Sequence, residues 1–400
     1  MPDDDRRASE LRKISAIRAE LPATERIVYL NTGTNGPLPR RSHDALAAYS
    51  EQELYEGRIG PDVFPRLSRI SDDARTAFAA VLGCESDEIA LTHNTTEGVN
   101  IALMGLDWRP GDEIITSRAE HPGVLYPAYL LRDRYGVRIR MTDIGAPGHD
   151  AVAELEQALS PRTRAVALSH VSWSTGVVLP IRELARATHA AGALFVCDAA
   201  QSCGMVPSAV YELEVDAYAC SGQKWLCGPD GTGALFVRKD RLVDIQQSYM
   251  GYQSIQHGMS DYEGHFVPPA AAARYQAATI YPGSIVGLSA SLQWISEEVG
   301  WEWAYQRIAT LGAACFDALA AVDGVTTLTP RDQMAGLIHF TVAGIAPDAL
   351  CERMTSQGIL ARHTPNPQAV RVATGFYNTH DDIERLVTAI REALADGQAS

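Results

Sequence analysis

Six short apolar runs recur between residues 88 and 237, and they restrict the fold more than any other feature of the chain. EIALT (88–92), EIITS (113–117), AVALS (165–169), ALFVC (193–197), DAYAC (216–220) and GALFV (233–237) have the length and continuity of strands buried on both faces. Amphipathic stretches at 96–105, 122–134 and 180–191 separate several of them and are long enough for crossover helices. The spacing predicts an α/β chain built on a mostly parallel sheet with both faces covered. After residue 238 the rhythm changes. Residues 243–283 are rich in Tyr, Gly, Pro and Gln and read as long loop, and helical patterns follow at 284–298 and 301–322. GLIHFTV (336–342), a helix near 347–357, AVRVA (369–373) and a last helix near 381–395 then form a compact second α/β unit. The expected division is an amino-terminal segment (1–25) packing on the small domain, a large domain (26–285) and a small domain (286–400), with loose extreme termini.

With 400 residues, 46% of them hydrophobic, the chain has enough apolar surface for a large core and a second, smaller one. Its 34 Lys and Arg against 49 Asp and Glu leave a formal charge of −15, which disfavours general attraction to nucleic acid or anionic membranes. Any anion it binds is therefore held by a local site. The polar, acidic opening MPDDDRRASE and the lack of any apolar run of membrane-spanning length predict a soluble cytoplasmic protein. The seven cysteines (84, 197, 203, 220, 227, 315 and 351) are odd in number and show no metal-ligand spacing. They read as core residues, with no metal.

Three places carry chemistry. In FVCDAAQS (195–202), Asp198 emerges from an apolar run at the carboxyl end of an expected strand, where open α/β sheets place their ligands. Alone it reads as a turn or helix cap. In SGQKWLCGPDGTG (221–233), Lys224 sits in a second post-strand loop, with no charged neighbour nearer than Asp230. Pyridoxal 5'-phosphate (PLP) enzymes need a lysine to bond the cofactor and an acid opposite the pyridine nitrogen, and Asp198 with Lys224 supplies both. In LTHNTTEGVNIAL (91–103) a strand ends, Asn94, Thr95 and Thr96 follow, and a helix begins, so free N–H groups and two hydroxyls are available to an anion. By itself this is an ordinary helix cap; its coincidence with the other two gives it weight.

The order Thr95-Thr96-Glu97-Gly98, Glu120-His121, Ser169-His170-Val171, Asp198-Ala-Ala-Gln201, Ser221-x-x-Lys224-Trp225 and YNT (377–379) resembles the class V aminotransferase or cysteine desulfurase-like family of fold-type I PLP enzymes, over nearly the whole chain. The resemblance implies an aspartate aminotransferase-like fold with a large, mostly parallel seven-stranded sheet domain and a small carboxyl-terminal α/β domain. It implies that Lys224 holds PLP and moves the α-proton, Asp198 pairs with the pyridine nitrogen, Gln201 reaches the ring hydroxyl and His121 stacks on the ring. Thr95, Thr96, Ser221 and Gln223 would bind the phosphate end, joined by Thr279 from the neighbouring subunit, which makes a homodimer with shared sites. Arg371 would clamp a substrate carboxylate, with Asn31, Trp173 and Tyr252 as further substrate residues; without the resemblance, Arg371 reads equally as a solvated edge-strand residue.

Two departures from the desulfurases matter. They carry His where this chain has Gln223, and an amide shuttles no protons near neutral pH. Their nucleophilic cysteine lies on a loop before the arginine strand, and LARHTPNPQAVRVA (360–373) contains none. Cys351, in an expected helix, is a poor replacement. In contrast, SHVSWSTGVVLP (169–180) and RYQAATIYPGSIVGL (274–288) resemble the cystine and cysteine-conjugate C–S lyases. The resulting expectation is a PLP-dependent β-lyase that releases a thiol, pyruvate and ammonia from a cysteine S-conjugate, in a sulfur-incorporating or antibiotic pathway. Oxidative decarboxylating deamination, transamination, epimerisation, desulfuration and a non-enzymatic binding role stay open. His170, His189 and His339 read as core histidines, and His257, His265 and His363 as loop residues bordering an entrance. The loop carrying Tyr249, Tyr252, Tyr262 and Phe266 reads as a recognition surface or a dimer interface.

Overall fold

A computed structural model describes residues 2–256, 261 and 263–398, so His257 and Tyr262 lie outside the described residues. After a short strand β1 (Val28–Tyr29), the large sheet is built from β2 (Ile89–Thr92), β3 (Glu113–Ser117), β4 (Arg138–Thr142), β5 (Thr163–Ser169), β6 (Leu194–Asp198), β7 (Ala217–Ser221) and β8 (Gly233–Val237). Their order is β2-β8-β7-β6-β5-β3-β4. Only β8 runs antiparallel to its neighbours; the pairs from β7 out to β4 are parallel.

Alternation along each strand feeds two separate cores, because successive side chains leave opposite faces of a sheet. Phe195, Cys197, Tyr218 and Cys220 face one layer, with Phe78, Leu184 and Leu288 from the helices Val63–Leu82, Ile181–Ala190 and Pro282–Trp294. Val196, Ala217 and Ala219 face the other, with Val99, Leu103 and Leu131 from the helices Thr95–Met104 and Pro122–Tyr135. Full burial of a side chain such as Phe195 contributes about 1.5–3 kcal/mol. The strand that the sequence reading omits is β4, and its position explains the omission. RIRMT lies at the sheet edge, where exposed Arg138 and Arg140 replace an apolar run and Arg140 pairs with Glu113 at 3.3 Å.

The second unit is an antiparallel sheet of β9 (Val325–Thr327), β10 (Leu337–Val342), β12 (Arg362–Pro365) and β13 (Gln368–Ala373) in the order β12-β13-β10-β9. The strand β11 (Ile359–Leu360) instead pairs in parallel with β1. That pairing continues where Ala373 N–H donates to Leu30 O at 2.8 Å, which lays residues 31–36 beside the end of β13. Pro2–Glu20 is a helix, Ile14, Ile17 and Leu21 are buried, and Arg18 pairs with Asp382 at 3.1 Å. Its apolar residues recur only once per turn within a polar sequence, so the stripe is too narrow to stand out. The carboxyl-terminal helix, His380–Gln398, likewise runs on through the last described residues. We propose the division 1–25, 26–285 and 286–400, with the helix Pro282–Trp294 spanning the second boundary.

At the start of β7 the sheet carries an ion cluster. Asp216, fully buried, accepts from Phe195 N–H at 2.7 Å and meets His189 at 2.8 Å, Arg241 at 2.9 Å and Arg238 at 3.0 Å. Burial pushes its carboxyl up, but His189, the Phe195 N–H and Arg238 outweigh burial and hold it below its ordinary range. A depressed folded-state value stabilises the protein above the unfolded value and loses that contribution as the pH falls through the folded one. Asp216→Asn is therefore expected to cost about 3 kcal/mol at pH 7 in urea unfolding. The difference from the parent should begin to shrink below about pH 4, the ordinary carboxylate value, and disappear only at the lower pH where the folded parent carboxyl protonates.

Candidate active site

A cleft of about 230 Å³ opens at the carboxyl ends of the parallel strands, where each strand hands its last residue to a loop. Asp198 ends β6, Ser221 ends β7, and Lys224 follows three residues later. Asn94 caps the helix Thr95–Met104 by accepting from Glu97 N–H at 2.9 Å, leaving Thr95 and Thr96 in the first turn. His121 caps the helix Pro122–Tyr135, its Nδ1 accepting from Gly123 N–H at 3.0 Å. The opposite wall comes from the small sheet and the segment after β1, through Arg371, Arg362, Gly33 and Thr34.

Of the residues singled out in the sequence, the structure brings Thr95, Thr96, His121, Trp173, Asp198, Gln201, Ser221, Gln223, Lys224 and Arg371 to this one cleft. Thr95 Oγ1 and Ser221 Oγ are 2.8 Å apart at the helix start. Asp198 Oδ1 accepts from Ala200 N–H at 2.8 Å. The His121 and Trp173 rings meet edge to face at 5.2 Å. Gln201 donates to Gly33 O at 2.8 Å and accepts from Trp225 Nε1–H at 3.0 Å, which leaves its second N–H for a guest. Three buried polar atoms in the cleft, Gln223 Oε1, Trp173 Nε1 and Arg371 Nε, have no partner, as fits a cavity shaped around a polar group. A helix start with two hydroxyls, a buried carboxylate, an imidazole and a lysine amine in one cleft fit the parts of PLP.

Asn31 and Tyr252 fall outside this cleft, and Thr279, expected to reach the neighbouring subunit's site, lies outside that of its own chain. Asn31 lies behind the cleft wall, its Oδ1 accepting from Thr34 Oγ1 at 2.8 Å. Tyr252 and Thr279 lie outside the cleft, their hydroxyls bonded to each other, because the loop after Gly251 folds back on Ala277. Cys351 is buried in the helix Pro347–Ser356 within the small-unit core, where burial pushes its thiol up to about 12. His170 bonds Tyr218 at 3.1 Å and His189 bonds Asp216, whereas His339 is buried with neither ring nitrogen paired. His265 is exposed and bonds Asp261 at 2.7 Å, and Phe266 is half exposed.

Sequence reasoning missed Gly33, Thr34 and Arg362. A signal was present in NTGTNG (31–36). A Cβ on Gly36 would stand 2.2 Å from Lys224 O, and one on Gly33 3.0 Å from Gln201 Oε1, so Gly36 permits a close backbone approach to the lysine loop and Gly33 to the Gln201 side chain.

Burial governs the electrostatics. It lowers the Lys224 amine to about 8; Asp198 opposes the shift, and Arg371 and Arg362 add to it. Burial raises Asp198, against the Ala200 N–H and Lys224. Glu120, bonded to Ser169 N–H at 2.7 Å and to its hydroxyl, is raised to about 8 by burial and then by Asp198, so it carries a proton through neutral pH. Burial, followed by Lys224, lowers His121 to about 4, so its ring is neutral near pH 7. The chain has only three lysines, which makes the amine directly measurable. Only a neutral amine reacts with an acylating reagent, so in cofactor-free protein Lys224 acetylation should rise with pH through about 8. Lys239, whose pairing with Asp87 raises it, should rise later. Peptide mass spectrometry across the pH series reads both.

Known proteins resemble this chain over most of its length. Residues 28–386 match the family model described as Aminotransferase class-V. A probable cysteine desulfurase of Pseudomonas aeruginosa is 31% identical over 94% of this chain and 97% of its own length. The cysteine desulfurase CsdA of Escherichia coli is 29% identical over 94% and 96%. Among solved structures, the cystine C–S lyase C-DES, in complex with its reaction product cysteine persulfide, superposes with a TM-score of 0.88 at 29% identity, covering 92% of this chain and 98% of its own. A C-DES variant with glycine covalently linked to its PLP cofactor gives a TM-score of 0.89, also at 29% identity, over 93% and 98%. The chain belongs to the class-V aminotransferase family of PLP-dependent enzymes.

Proposed function

We propose that the protein is a C–S lyase that eliminates the β-thiol of a cysteine S-conjugate, leaving pyruvate and ammonia. The observation that carries the reading is the missing thiol. Among the described residues no cysteine lines the cleft, and six of the seven are buried elsewhere while Cys84 is half-buried. The stretch before the arginine strand is a tight hairpin, with Pro365 paired to Gln368, rather than a long loop carrying a nucleophile. The likeness to a cystine C–S lyase points the same way.

PLP, when bound, supplies an electron-accepting ring that takes up the electron pair left at the substrate α-carbon. The rest falls to side chains. Arg371, almost fully buried, presents a guanidinium to the substrate carboxylate. Asp198 offers a buried negative charge to the ring nitrogen, and a cationic partner there holds the carboxylate ionised against burial. Lys224 has a substantial neutral fraction near pH 8, so its amine accepts the α-proton; as the C–S bond breaks, the pair leaves with sulfur and the proton is available to the thiolate. The three-carbon remainder hydrolyses to pyruvate and ammonia. Thr95, Thr96 and Ser221 anchor the phosphate at the helix start. We also propose a homodimer with shared sites. Its support is that Thr279 and Tyr252 lie outside the cleft within one chain and that Leu54, Tyr55, Ile59 and Phe64 are exposed along the end of one helix, the turn after it and the start of the next. No helix of the described residues is long and apolar enough to cross a membrane.

Product analysis tests the reading. PLP-loaded protein with an S-alkyl cysteine is expected to yield equal amounts of pyruvate, ammonia and thiol, and Lys224→Ala should lower kcat by at least about 10²-fold. Alanine with a protein persulfide, or carbon dioxide with an aldehyde, would contradict it.

A further inference from the structure

In β10, LIHFTV, a histidine interrupts an otherwise apolar run. His339 stands directly opposite Arg371 of β13 in the antiparallel register, so the two side chains share one face of the small sheet. Both are buried, yet neither His339 ring nitrogen has a protein partner, and nor does Arg371 Nε. Idle polar atoms in a core are costly, so a ring with both nitrogens unpaired calls for a reason.

The neighbours of the ring supply one. Trp173 O, in the loop after β5, accepts from Arg371 Nη1 at the long distance of 3.4 Å. The same carbonyl lies close enough to His339 to favour its charged form. Thr329 holds that loop against β10, its hydroxyl accepting from His339 N–H at 2.9 Å and donating to Thr175 O at 2.6 Å. Carbonyl, guanidinium and imidazole are thereby kept together beside the arginine wall of the cleft.

Burial, then Arg371, lowers the imidazole to about 3, so near pH 7 one ring nitrogen carries a hydrogen and the other a lone pair. That combination matches what Arg371 needs once it binds an anion. To fork onto a carboxylate the guanidinium turns two N–H groups toward it, which takes Nη1 away from Trp173 O. The imidazole N–H then has Trp173 O to donate to, and the second ring nitrogen has Arg371 Nε–H to accept, so no group is left idle. A carboxylate at position 339 would also hold the guanidinium, but it would cancel the charge that attracts a substrate; an uncharged ring holds it and leaves the charge intact.

We propose that His339 is a positioning residue that takes over the Trp173 carbonyl and receives Arg371 Nε–H as the guanidinium turns to a substrate carboxylate. The proposal rests on Arg371 as the carboxylate clamp of the lyase reading, and not on which substrate bond is broken.

L-Alanine and L-alaninamide differ only in carboxylate against amide, and their binding to PLP-loaded protein, followed by cofactor absorbance, tests the proposal. The parent is expected to bind L-alanine at least about tenfold more tightly. His339→Leu should cut that preference to about threefold or less, whereas His339→Gln, which keeps a donor and an acceptor, should retain most of it. With S-methyl-L-cysteine, His339→Leu should raise KM by more than it lowers kcat. Its urea midpoint should match or exceed that of the parent, because two idle polar atoms leave the core; a merely structural histidine would lose stability and leave the preference alone. His339→Met gives the same reading if His339→Leu does not fold. A preference unchanged in the apolar variant, or lost equally in His339→Gln, overturns the proposal. A parent without the preference overturns it together with the assignment of Arg371. Absence of thiol from S-methyl-L-cysteine, with the expected preferences in parent and variants, refutes the lyase reading and supports His339.

Discussion

The site depends on a lysine amine and a carboxylate removed from water into the same cleft. Lys224 and Asp198 are each pushed toward neutrality by burial and each pulled back by the other's charge. Neither would be tolerated so far inside without a partner, because an unpaired buried charge is strongly destabilising. The sheet provides the arrangement cheaply: β6 and β7 are adjacent and parallel, so residues that leave their carboxyl ends emerge side by side. Glu120, the second acid nearby, avoids competing with Asp198 by keeping its proton.

The other half of the site is held by backbone rather than by charge. The pairing of β1 with β11, continued by the Leu30–Ala373 hydrogen bond, brings the NTGTNG segment between the two sheets. Gly36 N–H then donates to Gln223 O at 2.7 Å, tying that segment to the residue before the lysine. Arg371 on β13 consequently shares the cleft with Lys224 and Asp198, its guanidinium donating to the Thr34 hydroxyl at 2.9 Å. Movement of the small sheet would change the arginine wall and leave the lysine–aspartate wall in place.

Much of this was legible in the sequence because burial leaves a strong trace. Strands sandwiched between two helical layers must be continuously apolar, so β2, β3 and β5 to β8 were readable within a residue or two. Asp198 and Lys224 stood out because a charge directly after such a run has few structural reasons to be there. What escaped notice was weak in pattern for physical reasons. The edge strand β4 alternates with arginines that face water, and the first helix buries only one residue per turn. Arg362 and Thr34 leave no local trace, since two segments more than three hundred residues apart meet at one hydroxyl, a contact no local spacing encodes.

The central claim is that the buried amine of Lys224 is the group that bonds the cofactor. Reduction of PLP-loaded protein with borohydride, followed by proteolysis and peptide mass spectrometry, tests it directly. With only Lys13, Lys224 and Lys239 available, the account predicts a pyridoxyl-phosphate mass on the peptide containing Lys224 and none on the other two. Label on Lys13 or Lys239, or no covalent label under conditions where the protein retains PLP, would contradict it.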